Sequence, residues 1–232
     1  WTNPGEVPNN GLDDDNNGLV DDVHGWDFYN WDADPSDDHG HGTHVAGTIA
    51  AVANNGIGVA GVAPGAQIMP VKSCGFSGYC YSSTTLGGLL YAVLNGADIS
   101  NHSYGSSYYR QDFYEVIQAI QSWGHLVVAA AGNNGTNNDA SPKYPASYPS
   151  ANVISVAAVD SSGSLASFSN YGASSVDVAA PGVGILSTTL GGGYGTASGT
   201  SMAAPHVAGV AALLRSAIPG LSPSTIRQAL ID

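Results

Sequence analysis

Polar, turn-forming residues dominate the start of the chain. "NPGEVPNNGLDDDNNGLVDD" has no apolar period, and loop is expected through residue 38. From His41 the pattern changes. "HGTHVAGTIAAVA" (41–53) reads as a helix of small residues suited to close packing on a sheet. "QIMPVK" (67–72) reads as a buried strand, and "TTLGGLLYAVLNGA" (84–97) has helical spacing that ends at Gly96. "DISNHS" (98–103) is a short strand, and "RQDFYEVIQAIQSWG" (110–124) is an amphipathic helix stopped by Gly124. "HLVVAAAG" (125–132) and "NVISVAAV" (152–159) are apolar without alternation, the mark of strands buried on both faces. Shorter strands and turns follow in "SFSNYG", "VDVAAPG" and "GILSTT". A long helix over 201–218 carries Pro205 in its first turns, where a missing N–H costs least, and a capped final helix covers 222–231.

Alternating strands and helices with doubly buried strands predict an α/β fold. The expected architecture is a three-layer αβα arrangement around a mostly parallel central sheet. No internal repeat or linker divides the chain. One domain over 1–232 is expected, an acidic, turn-rich segment (1–38) joined to an α/β core (39–232).

Composition narrows the partners. The chain has 232 residues, 43% of them hydrophobic, enough for a sizeable core. No apolar run reaches the ~18 residues of a membrane span. No basic, apolar leader opens the chain, so a signal peptide is expected to be absent or already removed. The net charge is -13 with five Lys and Arg, which argues against nucleic acid and anionic membranes as partners. Eleven of the 18 acidic residues lie between Glu6 and Asp38, either as a solvated face or as a site for a hard cation. The two cysteines, Cys74 and Cys80, lack the further ligands that zinc needs. A small disulfide loop, and with it an oxidising compartment, is expected; two free thiols are the alternative.

Three stretches carry candidate chemistry. In "SGTSMAAPHVAG" a loop enters a helix at Ser201, where N–H groups and the positive dipole end favour an oxyanion. The same serine could simply cap the helix. In "VVAAAGNNGT" a buried strand ends at Asn133, whose amide is either an oxyanion donor or part of a turn. "DDHGHGTHVAG" holds His39, His41 and His44, readable as a metal cluster or as a source of one general base.

Taken together and in this order, "HGTHVAG", "AAGNNG" and "GTSMAAPHVAG" resemble the subtilisin-like serine proteases, the subtilases. The resemblance runs over essentially the whole chain. It implies a subtilisin-like fold and a secreted, monomeric endopeptidase acting on polypeptides. His41 takes the place of the catalytic base, Ser201 the nucleophile, and Asn133 the side-chain donor to the oxyanion, beside the Ser201 N–H. His44 is expected to be structural, and His206 belongs to the family's helix pattern. Ser103, Tyr104 and Gly105 correspond to the segment that pairs with an extended substrate. Ala130, Ala131 and Gly132 correspond to the wall of the pocket for the residue before the cut. Lys143 aligns with the far end of that pocket, where it would favour a polar or acidic side chain.

The family also uses an Asp in a D-[ST]-G turn, preceding the His. No such tripeptide occurs in the 232 residues. The expectation is that it lies upstream of Trp1, with the first central strand; Asp37 and Asp38 sit on the wrong side of the motif to replace it. Two rivals follow: a non-catalytic, subtilase-like peptide-binding module or inactive fragment, and a metallo-hydrolase using His39, His41 and His44.

Structural calcium is the expected cofactor. "DDDNNGLVDD" places Asp13, Asp15, Asn17, Asp21 and Asp22 at EF-hand-like spacing, with Leu19 offering its carbonyl and His24 standing where the twelfth-position Glu would be. A second loop, "ANNGIGV", matches a calcium loop of many subtilases. There Asn55 would use its side chain and Ala53, Ile57 and Val59 their carbonyls.

Overall fold

A computed structural model describes all residues of the chain, 1–232. In order it contains β1 (Trp26–Asp27), α1 (His41–Ala50), β2 (Val71–Lys72), α2 (Ser82–Leu94), β3 (Ile99–His102), α3 (Gln111–Gln121), β4 (Leu126–Ala130), β5 (Val153–Val159), β6 (Val178–Pro181), β7 (Ile185–Thr189), β8 (Gly193–Ala197), α4 (Thr200–Ala217) and α5 (Pro223–Ile231). Contacts divide it into two units, residues 1–42 with 67–97, and 43–66 with 98–232.

In the first unit the acidic segment is mostly turn and loop, as its polarity predicts. Its short ladder pairs β1 with β2 in parallel, Trp26 to Val71 and Asp27 to Lys72. The buried strand expected over 67–72 is reduced to Val71–Lys72, and those residues are only half-buried. Pro70 has no N–H to give a ladder, so pairing starts after it. Leu19, Trp26, Phe28 and Tyr91 form the apolar core. Helix α2 starts two residues before its predicted position, and Gly96 follows it at φ 82, the left-handed turn that stops it. Cys74 and Cys80 form a disulfide.

The second unit is built on a four-stranded sheet of order β3-β4-β5-β6, every pairing parallel. Strand β4 is buried along its whole length. Leu126, Val128 and Ala130 pack with Ile154, Val156 and Ala158 against Ala203, Ala204, Val207, Ala208 and Ala211 of α4 and Ile226 of α5. The alternate residues, Val127 and Ala129, are also fully buried. Buried Asn152 ties α3 to the sheet, donating to the carbonyls of Ile117 (3.0 Å) and His125 (3.2 Å). This is the α/β class with a parallel sheet that the apolar runs predicted.

Two departures from the sequence reading stand out. "SFSNYG" forms no strand; its Ser169 and Asn170 are buried and hydrogen-bonded instead. The glycine-rich stretch after "GILSTT" pairs with it, giving the antiparallel hairpin β7–β8. That hairpin lies against α1. A Cβ on Gly47 would fall 2.1 Å from Thr188 Oγ1, so only glycine allows the approach.

Candidate active site

Asn133 lies just past the carboxyl end of β4, and Ser201 sits in the first turn of α4. Their relation is fixed through Thr200. Asn133 Oδ1 accepts from the Thr200 N–H at 2.8 Å and from Thr200 Oγ1 at 2.9 Å. A main-chain N–H can only donate, so the amide orientation is determined: Oδ1 faces α4, and Nδ2 is left as the donor. Asn133 is exposed, while Thr200 is wholly buried. Asn170 shapes the same loop, its Oδ1 accepting from the N–H of Asn134 (2.8 Å) and Thr136 (3.2 Å).

The N–H groups that open a helix have no intrahelical acceptor. In α4 the Thr200 N–H bonds Asn133, and those of Met202 and Ala203 bond the Gly199 carbonyl. The Ser201 N–H stays open beside its own hydroxyl. That hydroxyl donates to the Ser103 carbonyl at 3.1 Å, and Ser103 Oγ donates back to the Ser201 carbonyl at 2.8 Å. Ser201, Asn133 and Ser103 are therefore brought together. The capping alternative does not describe Ser201, because Gly199 occupies the N-cap and no side chain bonds there.

Tyr104 and Gly105 continue from Ser103 beyond β3, a strand with one sheet neighbour, β4. The segment is anchored at Ser106, whose N–H donates to the Tyr144 carbonyl (2.9 Å) and whose carbonyl accepts from the Tyr144 N–H (2.8 Å). Beneath it lies a buried polar chain that the sequence reading missed. His102 Nδ1 lies 2.6 Å from the Tyr104 hydroxyl, and its Nε2 lies 2.8 Å from Ser100 Oγ, which also meets His125 Nε2 at 2.8 Å. Burial, with His125 adding to it, pushes His102 down to about 3, so its ring is neutral at physiological pH. Burial likewise pushes the Tyr104 phenol up. Nothing in "SNHSYG" distinguishes a buried histidine from an exposed one.

Ala130 and Ala131 are buried, and Gly132 takes φ 112. The Ala131 carbonyl accepts from Asn138 Nδ2 (2.8 Å) and Asn170 Nδ2 (3.1 Å). Lys143 runs beside Gly132. Its Cγ lies 3.4 Å from where a Cβ on Gly132 would sit, and its Nζ donates to Ser107 Oγ at 2.6 Å.

Among the three clustered histidines, His41 is the first residue of α1 and is half-buried, its ring 6.3 Å from that of His39. His44 is 5% exposed, and its Nε2 lies 3.0 Å from the Ile185 carbonyl and 3.2 Å from that of Gly195. Carbonyls only accept, so this nitrogen carries the proton, holds the β7–β8 hairpin and has no lone pair to offer a metal. His206 Nδ1 bonds the Met202 carbonyl within its own helix, at 2.8 Å. Asp37 accepts the N–H groups of His39 (2.9 Å) and Gly40 (2.8 Å), and Asp38 pairs with Lys72 at 2.8 Å.

In the acidic segment, Asp21 accepts the N–H groups of Asn10 (3.1 Å) and Gly11 (3.0 Å), and buried Asp22 accepts from Asn3 Nδ2 (2.9 Å) and Asn17 Nδ2 (3.0 Å). Leu19 is part of the apolar core. Asp13 and Asp15 have oxygens close to one of Glu6, a residue the motif does not include. The 53–59 loop is mainly exposed; Ala53 and Val59 are half-buried, and Asn55 Oδ1 accepts the Ile57 N–H at 3.0 Å.

The family model for Peptidase S8, the subtilase family, matches residues 7–232. The chain is 46% identical over 208 residues to a thermophilic serine proteinase of Bacillus sp. (strain AK1), covering 90% of this chain and 50% of that protein. It is 45% identical over 208 residues to thermitase of Thermoactinomyces vulgaris, covering 90% of this chain and 72% of that one. The chain thus spans about half the length of the first of these relatives. Among solved structures, a cold adapted subtilisin-like serine proteinase superposes with a TM-score of 0.79 at 39% identity, covering 89% of this chain and 72% of the other.

Proposed function

The chain belongs to the subtilase family of serine peptidases, and from that premise we propose that it is the catalytic domain of a secreted endopeptidase that hydrolyses polypeptides. Ser201 Oγ attacks the carbonyl carbon of the scissile bond. His41 takes the hydroxyl proton and returns it to the departing amine, leaving an ester on Ser201 that water then cleaves by the same route. Asn133 Nδ2 and the Ser201 N–H receive the negative oxygen of each tetrahedral intermediate. A carboxylate orients His41; in this family a D-[ST]-G turn supplies it, and the 232 residues contain none. Ser103, Tyr104 and Gly105 pair with the substrate main chain, and Ala130–Gly132 border the pocket of the residue before the cut. The domain acts as a monomer.

One observation carries this reading. The Thr200 bonds occupy Asn133 Oδ1 and leave Nδ2 as the donor, close to a serine whose own N–H has no acceptor. The surplus of acid over base suits a protein that meets peptides rather than nucleic acid. The disulfide suits an oxidising exterior.

The test is covalent labelling of the full-length protein with a fluorophosphonate, followed by peptide mapping. Stoichiometric modification of Ser201, abolished in Ser201→Ala and at least a hundredfold slower in His41→Ala, is the expected result. A folded chain that binds peptides yet never labels is a peptide-binding module, and the proposal fails.

A further inference from the structure

We propose that His102 is a positioning residue for substrate recognition: by accepting the Tyr104 hydroxyl it fixes the segment 103–105 that pairs with an extended peptide. This role rests on the peptidase reading of Ser103, Tyr104 and Gly105; the anchoring itself does not.

Beyond β3 the sheet stops guiding the chain. The ladder with β4 ends at the pair His102–Ala129. Ser103, Tyr104 and Gly105 then run without a sheet partner until Ser106 bonds Tyr144. Side chains have to place what main-chain bonds do not. Successive side chains of an extended chain point to opposite faces. Asn101 and Ser103 take one face, where Asn101 Nδ2 donates to Ser103 Oγ at 2.9 Å and Ser103 Oγ reaches the Ser201 carbonyl. Ser100, His102 and Tyr104 take the other.

On that second face His102 is 3% exposed, and its ring meets those of Tyr104 and of Phe113 in α3 edge-on, with centroids 5.3 and 6.3 Å away. The Tyr104 hydroxyl has one partner, His102 Nδ1 at 2.6 Å. If Nδ1 carried a proton, the phenol proton would have no acceptor. Tyr104 therefore donates, and Nδ1 is bare. The neutral ring then holds its proton on Nε2, which donates to Ser100 Oγ at 2.8 Å. Ser100 is held in turn by His125 Nε2, also at 2.8 Å. The donors run in one direction, from Tyr104 inward to Ser100.

Packing alone does not call for a histidine here. A buried imidazole gives up water at both nitrogens, whereas Leu or Phe would fill the space between β3 and α3 without that loss. A segment with no ladder does call for an anchor. The stretch 103–106 is held by Ser103 on the Ser201 carbonyl, by Tyr104 on His102, and by Ser106 on Tyr144. Gly105 adds no side-chain anchor of its own, and a Cβ there would come 3.2 Å from the Tyr144 carbonyl.

Without the Nδ1 acceptor, the phenol has to find water. Tyr104 reaches it by rotating outward, which shifts the main chain at 103–105. Asn133 is held separately, through Thr200. Loss of His102 therefore falls on ligands that lie along the segment. A small reagent that meets only Ser201 is spared most of it.

The test uses His102→Phe in the full-length protein, which keeps a ring against Phe113 and offers Tyr104 no acceptor. Binding of a tetrapeptide amide, measured by calorimetry in a Ser201→Ala background so that no turnover is needed, should weaken about tenfold, the worth of one buried hydrogen bond. Labelling of Ser201 by a small alkyl fluorophosphonate should slow less than threefold. His102→Asn, whose Oδ1 takes the place of Nδ1, should bind peptide within threefold of the parent. Tyr104→Phe should match His102→Phe, and the two combined should add no further loss. Circular dichroism checks that each variant is folded; if His102→Phe is not, Tyr104→Phe must show the tenfold loss by itself. Unchanged peptide binding in the folded variants, equal losses in binding and labelling, a His102→Asn as weak as His102→Phe, or additive losses would each overturn the role. A parent that binds the peptide but never labels overturns the peptidase reading, and the binding comparison still decides this one; a parent that binds no peptide overturns both.

Discussion

Asn133 holds two duties on two different atoms, and substitutions can separate them. Oδ1 is structural, accepting two bonds from Thr200, while Nδ2 is the proposed oxyanion donor. Asn133→Asp keeps an oxygen for the Thr200 N–H and removes the donor. Asn133→Ala removes both. Thr200 is wholly buried, so an abandoned N–H there costs about 1–3 kcal/mol. Loss of the donor should lower kcat by about 10²–10³, the range found when such a donor is removed in subtilisin. The Asp variant, whose carboxylate also repels the oxyanion, should therefore be at least as slow as the Ala variant yet the more stable of the two. Hydrolysis of a chromogenic peptide amide, or the rate of fluorophosphonate labelling, reads the first; the midpoint of urea unfolding reads the second. An Asp variant that labels within threefold of wild type would refute the donor role. An Ala variant that unfolds at the wild-type midpoint would refute the structural one.

Two further predictions concern charge. Asp27 is almost fully buried; burial alone would raise its pKa, but Lys72 and the N–H groups of Asn30 and Tyr29 outweigh it and hold the carboxyl below its ordinary 3.8. A depressed carboxylate stabilises the fold above its unfolded pKa and loses that contribution as pH falls through the folded one. The Tm difference between wild type and Asp27→Asn should hold above pH ~5 and shrink below ~3.8; a difference that grows on acidification would contradict the pairing. Lys143 runs beside Gly132, with its amine donating to Ser107 Oγ. In a peptide panel varied only before the cut, acidic residues should be preferred, and Lys143→Ala should abolish that preference; a clear wild-type preference for large apolar residues would exclude the role.

Long, strongly patterned segments were legible from the sequence. β4, β5, α3 and α4 fall within a few residues of their predicted bounds, because burial on both faces or on one helical stripe writes itself into residue type. The strand expected over 67–72 is shorter in the structure because Pro70 has no N–H to give a ladder. The β8 strand was missed because "GGGYGTA" carries almost no side-chain signal, and its pairing comes from the neighbouring β7. Within the site, Asn133 and Ser201 were visible as motifs, but the bond through Thr200 that aims the Asn133 amide was not. Glu6 escaped for a different reason. Motif spacing looks forward from Asp13, whereas Glu6 comes from the chain ahead of it and reaches Asp13 and Asp15 where Gly5 packs on Asp15.

Strand β4 bears on how the site would fail. Leu126, Val127, Val128 and Ala129 have no exposed surface, and β3 and β5 bond the strand on either side. Amides so placed exchange with solvent only when the whole unit opens. Ala131 and Asn133 follow directly from that strand, so the proposed oxyanion donor is tethered to backbone that is fully buried and paired on both sides. Partial fraying of the exposed 53–59 loop or of the chain's end leaves it in register. The donor is lost when the sheet itself comes apart, and not before.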